Sequence, residues 1–337
     1  TSDLRIHFNG YGPPVGHDTG PDLARSVARL EEIFPQLAPV RLDPEIRVDG
    51  SWDRVDVDVP DGRSLAGPVI DELVRIPGIS TIQEIGVFPF VDLDDVGEKA
   101  VQAYAERLKG KTFAVRARRH GDHDFRSIDL ERSVGAALLQ GSDAKGVDLK
   151  SPDLEVRIEV KDDSYHIAHR RHEGLGGYPL GTVETVMTLI SGGYDSSVAA
   201  YLMMRRGIRS HYLFFNLGGA AHEVGVRQVA HYLWERYGSS HNVKFISVPF
   251  EGVVAEIMRS VNHRHWGVVL KRMMLKAAAE IARDYNASGL VMGDAVAQVS
   301  SQTLTNLNVV DRASDEVVLR PLIAMDKQEI IRIAKDI

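Results

Sequence analysis

The chain predicts a multidomain protein of α/β and α+β class whose C-terminal part is a doubly wound parallel sheet. Three observations carry this. From residue 175 onward, short apolar runs of strand character alternate with helical stretches, as parallel strands joined by helical crossovers require. Before that point, alternating strand pairs and separate helices read as α+β. Between strand-like residues and a helix stands Ser191-Gly192-Gly193-Tyr194-Asp195-Ser196. Doubly wound sheets bind ligands at such a place, beyond the carboxyl end of a strand at a topological switch point.

A first unit is expected over residues 1–66. It opens with a strand at 4–8 and continues with a loop at 10–16, since Pro13-Pro14 suits neither a strand interior nor a helix core. Leu23, Val27, Leu30 and Ile33 recur at helical spacing over 23–34. Residues 46–48 and 55–59 alternate like paired strands.

The second unit, 67–174, opens with a helix at 70–74 that Pro77-Gly78 closes. A strand at 82–90 and a helix at 96–108 follow. In the strand over 113–120, Val115 and Ala117 take one face and Arg116 and Arg118 the other. A helix at 127–139 carries Arg132, and strands at 154–160 and 165–170 close the unit.

The third unit, 175–337, begins in a glycine-rich junction. Its expected strands are 183–190, 210–215, 243–249 and 290–292. The helices between and after them are 198–206, 222–237, 252–260, 266–286 and 326–337.

A length of 337 residues accommodates two or three domains, and the net charge of −7 argues against indiscriminate binding of polyanions while allowing a local basic patch. No apolar run reaches the roughly 20 residues needed to span a bilayer, and no basic flank precedes an apolar core at the N-terminus. No membrane partner is expected, and a cytoplasmic location is. Cysteine is absent, which excludes disulfides, cysteine zinc sites and thiol catalysis within these residues.

The two glycines of the 191–196 segment let the backbone turn sharply and approach a ligand closely. Successive N–H groups in such a turn cradle phosphate oxygens, and the following helix adds its positive end. Asp195 is placed to hold a Mg²⁺ bound to polyphosphate, with the Ser191 and Ser196 hydroxyls beside it. This is not the Walker loop: Gly110-Lys111-Thr112 has the right ending, but Ala105 stands where the first glycine belongs. Nor is Ser191 in a G-x-S-x-G nucleophile turn. His166, His169 and His172 read as a solvated strand rather than a metal site, because alternation sends 166 and 169 to opposite faces.

The S-G-G-x-D-S segment resembles the signature of the PP-loop ATP pyrophosphatases, which cleave ATP between the α and β phosphates. Four further stretches resemble the tRNA 4-thiouridine synthases (tRNA uridine sulfurtransferases): Asn216-Leu217-Gly218-Gly219-Ala220-Ala221-His222-Glu223, Arg227-Gln228-Val229-Ala230, Leu270-Lys271-Arg272-Met273-Met274, and the run from Gln298 to Leu307. Arg75-Ile76-Pro77-Gly78-Ile79 and His123-Asp124-Phe125 resemble the THUMP domain that precedes the PP-loop domain in that family. The resemblance covers about residue 67 to the end. It implies a THUMP RNA-binding domain over 67–174, a PP-loop domain over 175–337 and a small ferredoxin-like domain over 1–66, where this chain matches poorly.

The resemblance also implies the chemistry. ATP and Mg²⁺ activate uridine 8 of tRNA by adenylating its C4 oxygen, and a persulfide sulfur then displaces AMP. Leu189 and Ile190 would flank the adenosine, and Ser191, Gly192, Gly193 and Ser196 would cradle the phosphates. Lys271, Gly293 and Gln302 would complete the nucleotide site, with Asp195 and Lys271 catalytic and Asp195 on the metal. Where the family has Gly-Glu, this chain has Gly293-Asp294. Arg116, Arg118, Arg119 and Arg132 form a basic cluster expected to contact tRNA phosphates.

The sulfur-bearing cysteine of the family lies a little beyond residue 337. The chain is therefore expected to hold RNA binding and adenylation, with sulfur transfer depending on a persulfide donor, a cysteine desulfurase or rhodanese. A homodimer stays open. Two alternatives stand beside this reading: a PP-loop ligase that adenylates a small molecule, and a non-catalytic tRNA-binding protein.

Overall fold

The computed structural model describes residues 2–8, 41–42, 54–59 and 66–337. The expected loop at 10–16, helix at 23–34 and strand at 46–48 lie outside the described residues. The described part forms two compact units, one reaching to Gly174 and the other running from Leu175 to Ile337 together with residues 75–78.

The first unit is built on one eight-stranded sheet. Its strands are β1 (Ser2–Phe8), β2 (Arg41–Leu42), β3 (Arg54–Val59), β4 (Ile79–Pro89), β5 (Thr112–His120), β6 (Gly146–Val147), β7 (Leu154–Lys161) and β8 (Ser164–Glu173), in the order β2-β3-β1-β4-β8-β7-β5-β6. β1 pairs antiparallel with both β3 and β4. The boundary placed at 66/67 therefore crosses a continuous sheet, because the β4 edge satisfies its backbone groups with β1. Helix α1 spans Ala66–Leu73. Helices α2 (Leu93–Leu108) and α3 (Ser127–Gly141) pack on β5, β7 and β8. Leu130, Val134 and Leu138 of α3 recur at helical spacing and bury against Phe113, Val115, Val156 and Ile158. Asp92 caps α2, its carboxylate accepting the Asp95 N–H at 2.8 Å.

The second unit holds a five-stranded sheet that is parallel throughout. Its strands are β9 (Val183–Leu189), β10 (Ile208–Asn216), β11 (Phe245–Pro249), β12 (Leu290–Val291) and β13 (Val318–Leu319), ordered β11-β10-β9-β12-β13. The chain winds outward from β9 through β10 to β11, then returns to the other side of β9 with β12. That reversal puts the switch point at the carboxyl end of β9. β10 is buried on both faces, as a central parallel strand must be. Tyr212 and Phe214 meet α4 (Tyr194–Arg205) and α5 (Ala220–Leu233), while Leu213 and Phe215 meet α7 (Trp266–Asp284). α6 (Glu251–Ser260) and α8 (Leu304–Asp311) lie on the α7 face, and α9 (Lys327–Asp336) packs Ile330 against Val198 and Ala199 of α4. No described helix is long and apolar enough to cross a membrane.

Three differences from the sequence reading have local causes. α4 starts at Tyr194, four residues before the expected position, because Gly193 is its N-cap with extended backbone. α5 ends at Leu233 and passes into a π-helical turn at Trp234–Gly238. β2, β6, β13 and α8 were not expected; the three strands are only two residues long, too short for alternation to register.

Candidate nucleotide site

β9 ends at Leu189, and Ile190 is buried behind it. The chain then reverses through Gly192, whose φ of 79° lies in the left-handed region. A side chain there would also press on Val226, 3.1 Å from the Cβ position. Tyr194, Asp195 and Ser196 form the first turn of α4, where backbone N–H groups have no intrahelical acceptor and the helix dipole is positive. With the helix starting at Tyr194, Asp195 and Ser196 ride on the first turn of α4 rather than on a loop.

Ser196 fastens the turn. Its buried hydroxyl donates to the Gly193 carbonyl at 3.1 Å and accepts the Ser191 N–H at 3.1 Å. The Ser191 hydroxyl lies 3.2 Å from it. Across the sheet, Gly293 follows β12 and abuts the same turn. A Cβ at Gly293 would lie 2.7 Å from the Asp195 carbonyl carbon and 2.8 Å from Ser196 N, so glycine is required there by close approach.

Asp195 has both carboxylate oxygens engaged. Lys327 Nζ donates to Oδ1 at 2.6 Å and Gln298 Nε2 to Oδ2 at 2.9 Å. Behind it lies a second carboxylate, Asp294, which is buried. Lys271 Nζ donates to its Oδ1 at 2.5 Å, Gln302 Nε2 donates to the same oxygen at 3.1 Å, and Arg320 Nε donates to Oδ2 at 3.2 Å. Burial opposes ionisation of Asp294, but the Lys271 charge and the hydrogen bonds outweigh it and hold the carboxyl below its ordinary value. Arg320 also grips Asp311 with both terminal nitrogens, at 2.5 and 3.2 Å.

The structure therefore brings together the expected nucleotide residues Leu189, Ile190, Ser191, Gly192, Gly193, Asp195, Ser196, Lys271, Gly293 and Gln302, around the end of β9 and the residues that follow β12. It adds Lys327, Gln298, Asp294 and Arg320. Arg320 and Lys327 lie far along the chain from the loop and carry no motif, so nothing in the sequence flagged them. Gln298 and Gln302 stand four positions apart, but they occupy a bend and a 3₁₀ segment (Ser300–Gln302) rather than one helix. Ala297 sits in the left-handed region at φ 61°, a strained position for a residue with a side chain.

The four arginines are not one patch. Val115 faces α3, so Arg116 and Arg118 lie on the opposite, open face of the sheet. Arg116 donates to the Leu149 carbonyl at 2.7 Å and approaches Glu155 at 3.5 Å. Arg119 points the other way and holds the turn after β5 through the His123 carbonyl at 3.2 Å. Arg132 is on the exposed side of α3. Alternation separates the strand residues, and the helix stands on the other face of the sheet from Arg116 and Arg118. His172 Nε2 donates to Glu84 Oε1 at 2.7 Å, and no metal-binding group of three or more His, Asp or Glu residues occurs among the described residues.

A glycine-bent loop opening a helix, at the switch point of a parallel sheet and backed by paired charges, defines the class: an α/β domain of the PP-loop type. Residues 181–337 match the family described as "Thiamine biosynthesis protein (ThiI)", and residues 90–169 match the THUMP domain. A tRNA sulfurtransferase of Marinobacter nauticus is 93% identical over 325 residues, 96% of this chain and 67% of that protein. One from Shewanella pealeana is 50% identical over 298 residues, 88% of this chain and 62% of that protein. The chain belongs to the tRNA sulfurtransferase family. It spans about two thirds or less of these relatives' length. Among solved structures, a 4-thiouridine synthetase–RNA complex with bound ATP matches with a TM-score of 0.83 at 25% identity, over 99% of this chain and 84% of that one. A Pyrococcus horikoshii protein shares the fold, with a TM-score of 0.69 at 17% identity.

Proposed function

We propose that this chain binds ATP in the 191–196 turn and adenylates the C4 oxygen of uridine 8 in tRNA, the activating step of 4-thiouridine synthesis. The observation that carries the reading is the placement of the S-G-G-Y-D-S turn at the carboxyl end of β9, with Gly293 seated against it and Lys271 close behind. The family membership and the ATP-bound RNA complex of the related synthetase support it.

In the step, the uracil O4 attacks the α-phosphorus, the bond to the pyrophosphate oxygen breaks, and the N3 proton is released. Negative charge gathers on the phosphoryl oxygens and the departing pyrophosphate. The first amides of α4 are aimed at such charge, and Lys327 is the nearest cation on Asp195. Lys271 is tied to the buried Asp294, which holds its ammonium in one place. Asp195 would hold Mg²⁺ through a hard carboxylate oxygen by sharing it with, or displacing, the Lys327 ammonium, and the phosphates would supply most of the remaining oxygens. Bound there, Mg²⁺ would neutralise polyphosphate charge.

Sulfur transfer needs a cysteine, and this chain has none. A persulfide-bearing cysteine desulfurase or rhodanese would supply the sulfur, and a homodimer belongs to the same set of proposed partners. Arg116 and Arg118 are proposed to position tRNA through its phosphates, with Arg119 and Arg132 as separate contacts. The domain boundary at 174/175 and the RNA-binding role of the THUMP domain are part of this proposal.

Incubation of the chain with tRNA, ATP and a persulfide donor is expected to give pyrophosphate and AMP-linked tRNA without thiouridine. Pyrophosphate released equally with and without tRNA would point to the rival ligase reading, and thiolated product would refute the division of labour.

A further inference from the structure

Between Glu256 and Glu280 the chain carries no acidic residue, yet it holds Arg259, Arg264, Lys271, Arg272 and Lys276 together with His263 and His265. In a protein of net charge −7 this stretch is a local reversal of sign. Three of its cations are already engaged: Arg259 pairs with Glu256, Lys271 with Asp294, and Arg272 donates to the Val309 carbonyl. The side chains of His263, Arg264 and His265 are exposed instead, and none of them has a hydrogen bond, ion pair or ring contact among the described residues.

The fold decides where these side chains stand. Residues 263–265 form one 3₁₀ turn that leads into α7 at Trp266, and the Asn262 side chain caps the turn by accepting the Arg264 N–H at 3.0 Å. The Trp266 indole N–H, donated to the Val261 carbonyl at 2.8 Å, fixes the entry. α7 delivers the chain to the start of β12, so its first turn lies toward the carboxyl ends of the strands, the side on which the 191–196 turn opens. Two contacts agree with this. Lys271, in the second turn of α7, reaches Asp294 just beyond β12, and Gly267, in the first turn, has its Cβ position 3.6 Å from the Ser301 Cβ. Arg264 therefore stands roughly 10 Å farther out than Lys271 along the same axis.

Which anion meets it follows from the adenylation reading above, on which this step rests. The phosphates of ATP fall to the 191–196 turn and Lys271, deeper in. The other polyanion brought to this rim is RNA. A uracil whose O4 reaches the α-phosphorus leaves the phosphates of its own backbone outside the nucleotide site, at a reach comparable with the Lys271–Arg264 separation. Arg264 also has no carboxylate to give up, whereas Arg116 must leave Glu155 before it meets a phosphate.

We infer that the 262–265 turn, with Arg264 at its centre, is an RNA-contact surface of the second unit that grips the backbone phosphates flanking the nucleotide to be adenylated. Such a contact positions the RNA without reading its sequence.

The absence of cysteine supplies the test. His263→Cys introduces a single thiol that keeps Arg264 and can carry an iron–EDTA group. With tRNA and α,β-methylene ATP bound, the radicals formed there should cut the RNA at the nucleotides adjoining uridine 8. The same group on Lys276→Cys, three turns farther along α7, should cut there far less. Cleavage confined to other parts of the tRNA would overturn the inference. In parallel, Arg264→Ala should weaken tRNA binding roughly fivefold and lower its salt slope by about one counterion. Arg264→Glu should weaken it further, and ATP affinity by calorimetry should stay unchanged in both. Unaltered tRNA affinity and slope would also overturn the inference, and so would weaker ATP binding with tRNA affinity intact, which would assign Arg264 to the triphosphate. Wild type that binds tRNA but releases no pyrophosphate with it would instead remove the adenylation reading, while the cleavage map and salt slope would still decide whether this surface holds RNA.

Discussion

On the open face of the first sheet, Arg116 approaches Glu155 at 3.5 Å, with side chains 43% and 35% exposed. In the second unit, Arg320 meets Asp294 at 3.2 Å, with side chains 9% and 5% exposed. The ingredients are the same, but water screens the first pair and not the second. An exposed pair of this kind is worth less than about 1 kcal/mol, and its arginine can leave at small cost to meet a phosphate. A buried carboxylate between two cations is different, because removing any member strands the others in low dielectric. Exposure thus suits the first cluster to reversible contact with a polyanion and the second to holding a site rigid.

The contrast breaks most sharply at Asp294. Replacing it with alanine should cost about 3–5 kcal/mol by urea denaturation, since Lys271 and Arg320 lose their shared anion. A loss no larger than that of an exposed pair would show that water reaches the cluster. Next comes Gly293→Ala. Its Cβ would lie 2.7 Å from the Asp195 backbone, so about 1–3 kcal/mol of overpacking is expected, together with weaker ATP binding by calorimetry.

His211 sharpens the same point through pH. Burial, then the Arg209 and Lys244 charges, push its pKa down, and its Nδ1 accepts the Lys244 N–H at 3.2 Å. The folded state thus favours the neutral ring. Its stabilising contribution should be complete above the ordinary value of 6.5 and fade as pH falls below it toward the lower folded-state value. His211→Asn should flatten that part of the stability–pH curve, and an unchanged slope would count against it.

The smallest effect on stability belongs to the open face. Arg116→Ala with Arg118→Ala should shift stability by less than about 1 kcal/mol. It should nevertheless weaken tRNA binding and lower the salt dependence by roughly two counterions. Titrations at several salt concentrations would read this directly, and an unaltered slope would remove these arginines from the RNA contact.

Much of this was legible from residues close together in the chain. The alternation of apolar runs announced the parallel sheet, and β9, β10 and β11 fall close to where they were expected. The turn at 191–196 could be read because its ingredients are local: two glycines, two hydroxyls and a carboxylate within six positions. The arginines were legible as a cluster of charge, but not as a surface. Strand alternation set Arg119 apart from its neighbours, and packing of α3 through Val134 and Leu138 put Arg132 beyond the other face.

What the sequence determined by itself was the fold class, the glycine turn that opens α4 and the kinship to the tRNA sulfurtransferases, all properties of short contiguous patterns. Tertiary structure alone decided that Asp195 meets Lys327, that Asp294 gathers Lys271 and Arg320, and that Gly293 must have no side chain. The physical reason is that these are contacts across 23 to 132 positions. They are specified by which strands lie side by side and how far charge is withdrawn from water, and neither is written in local spacing.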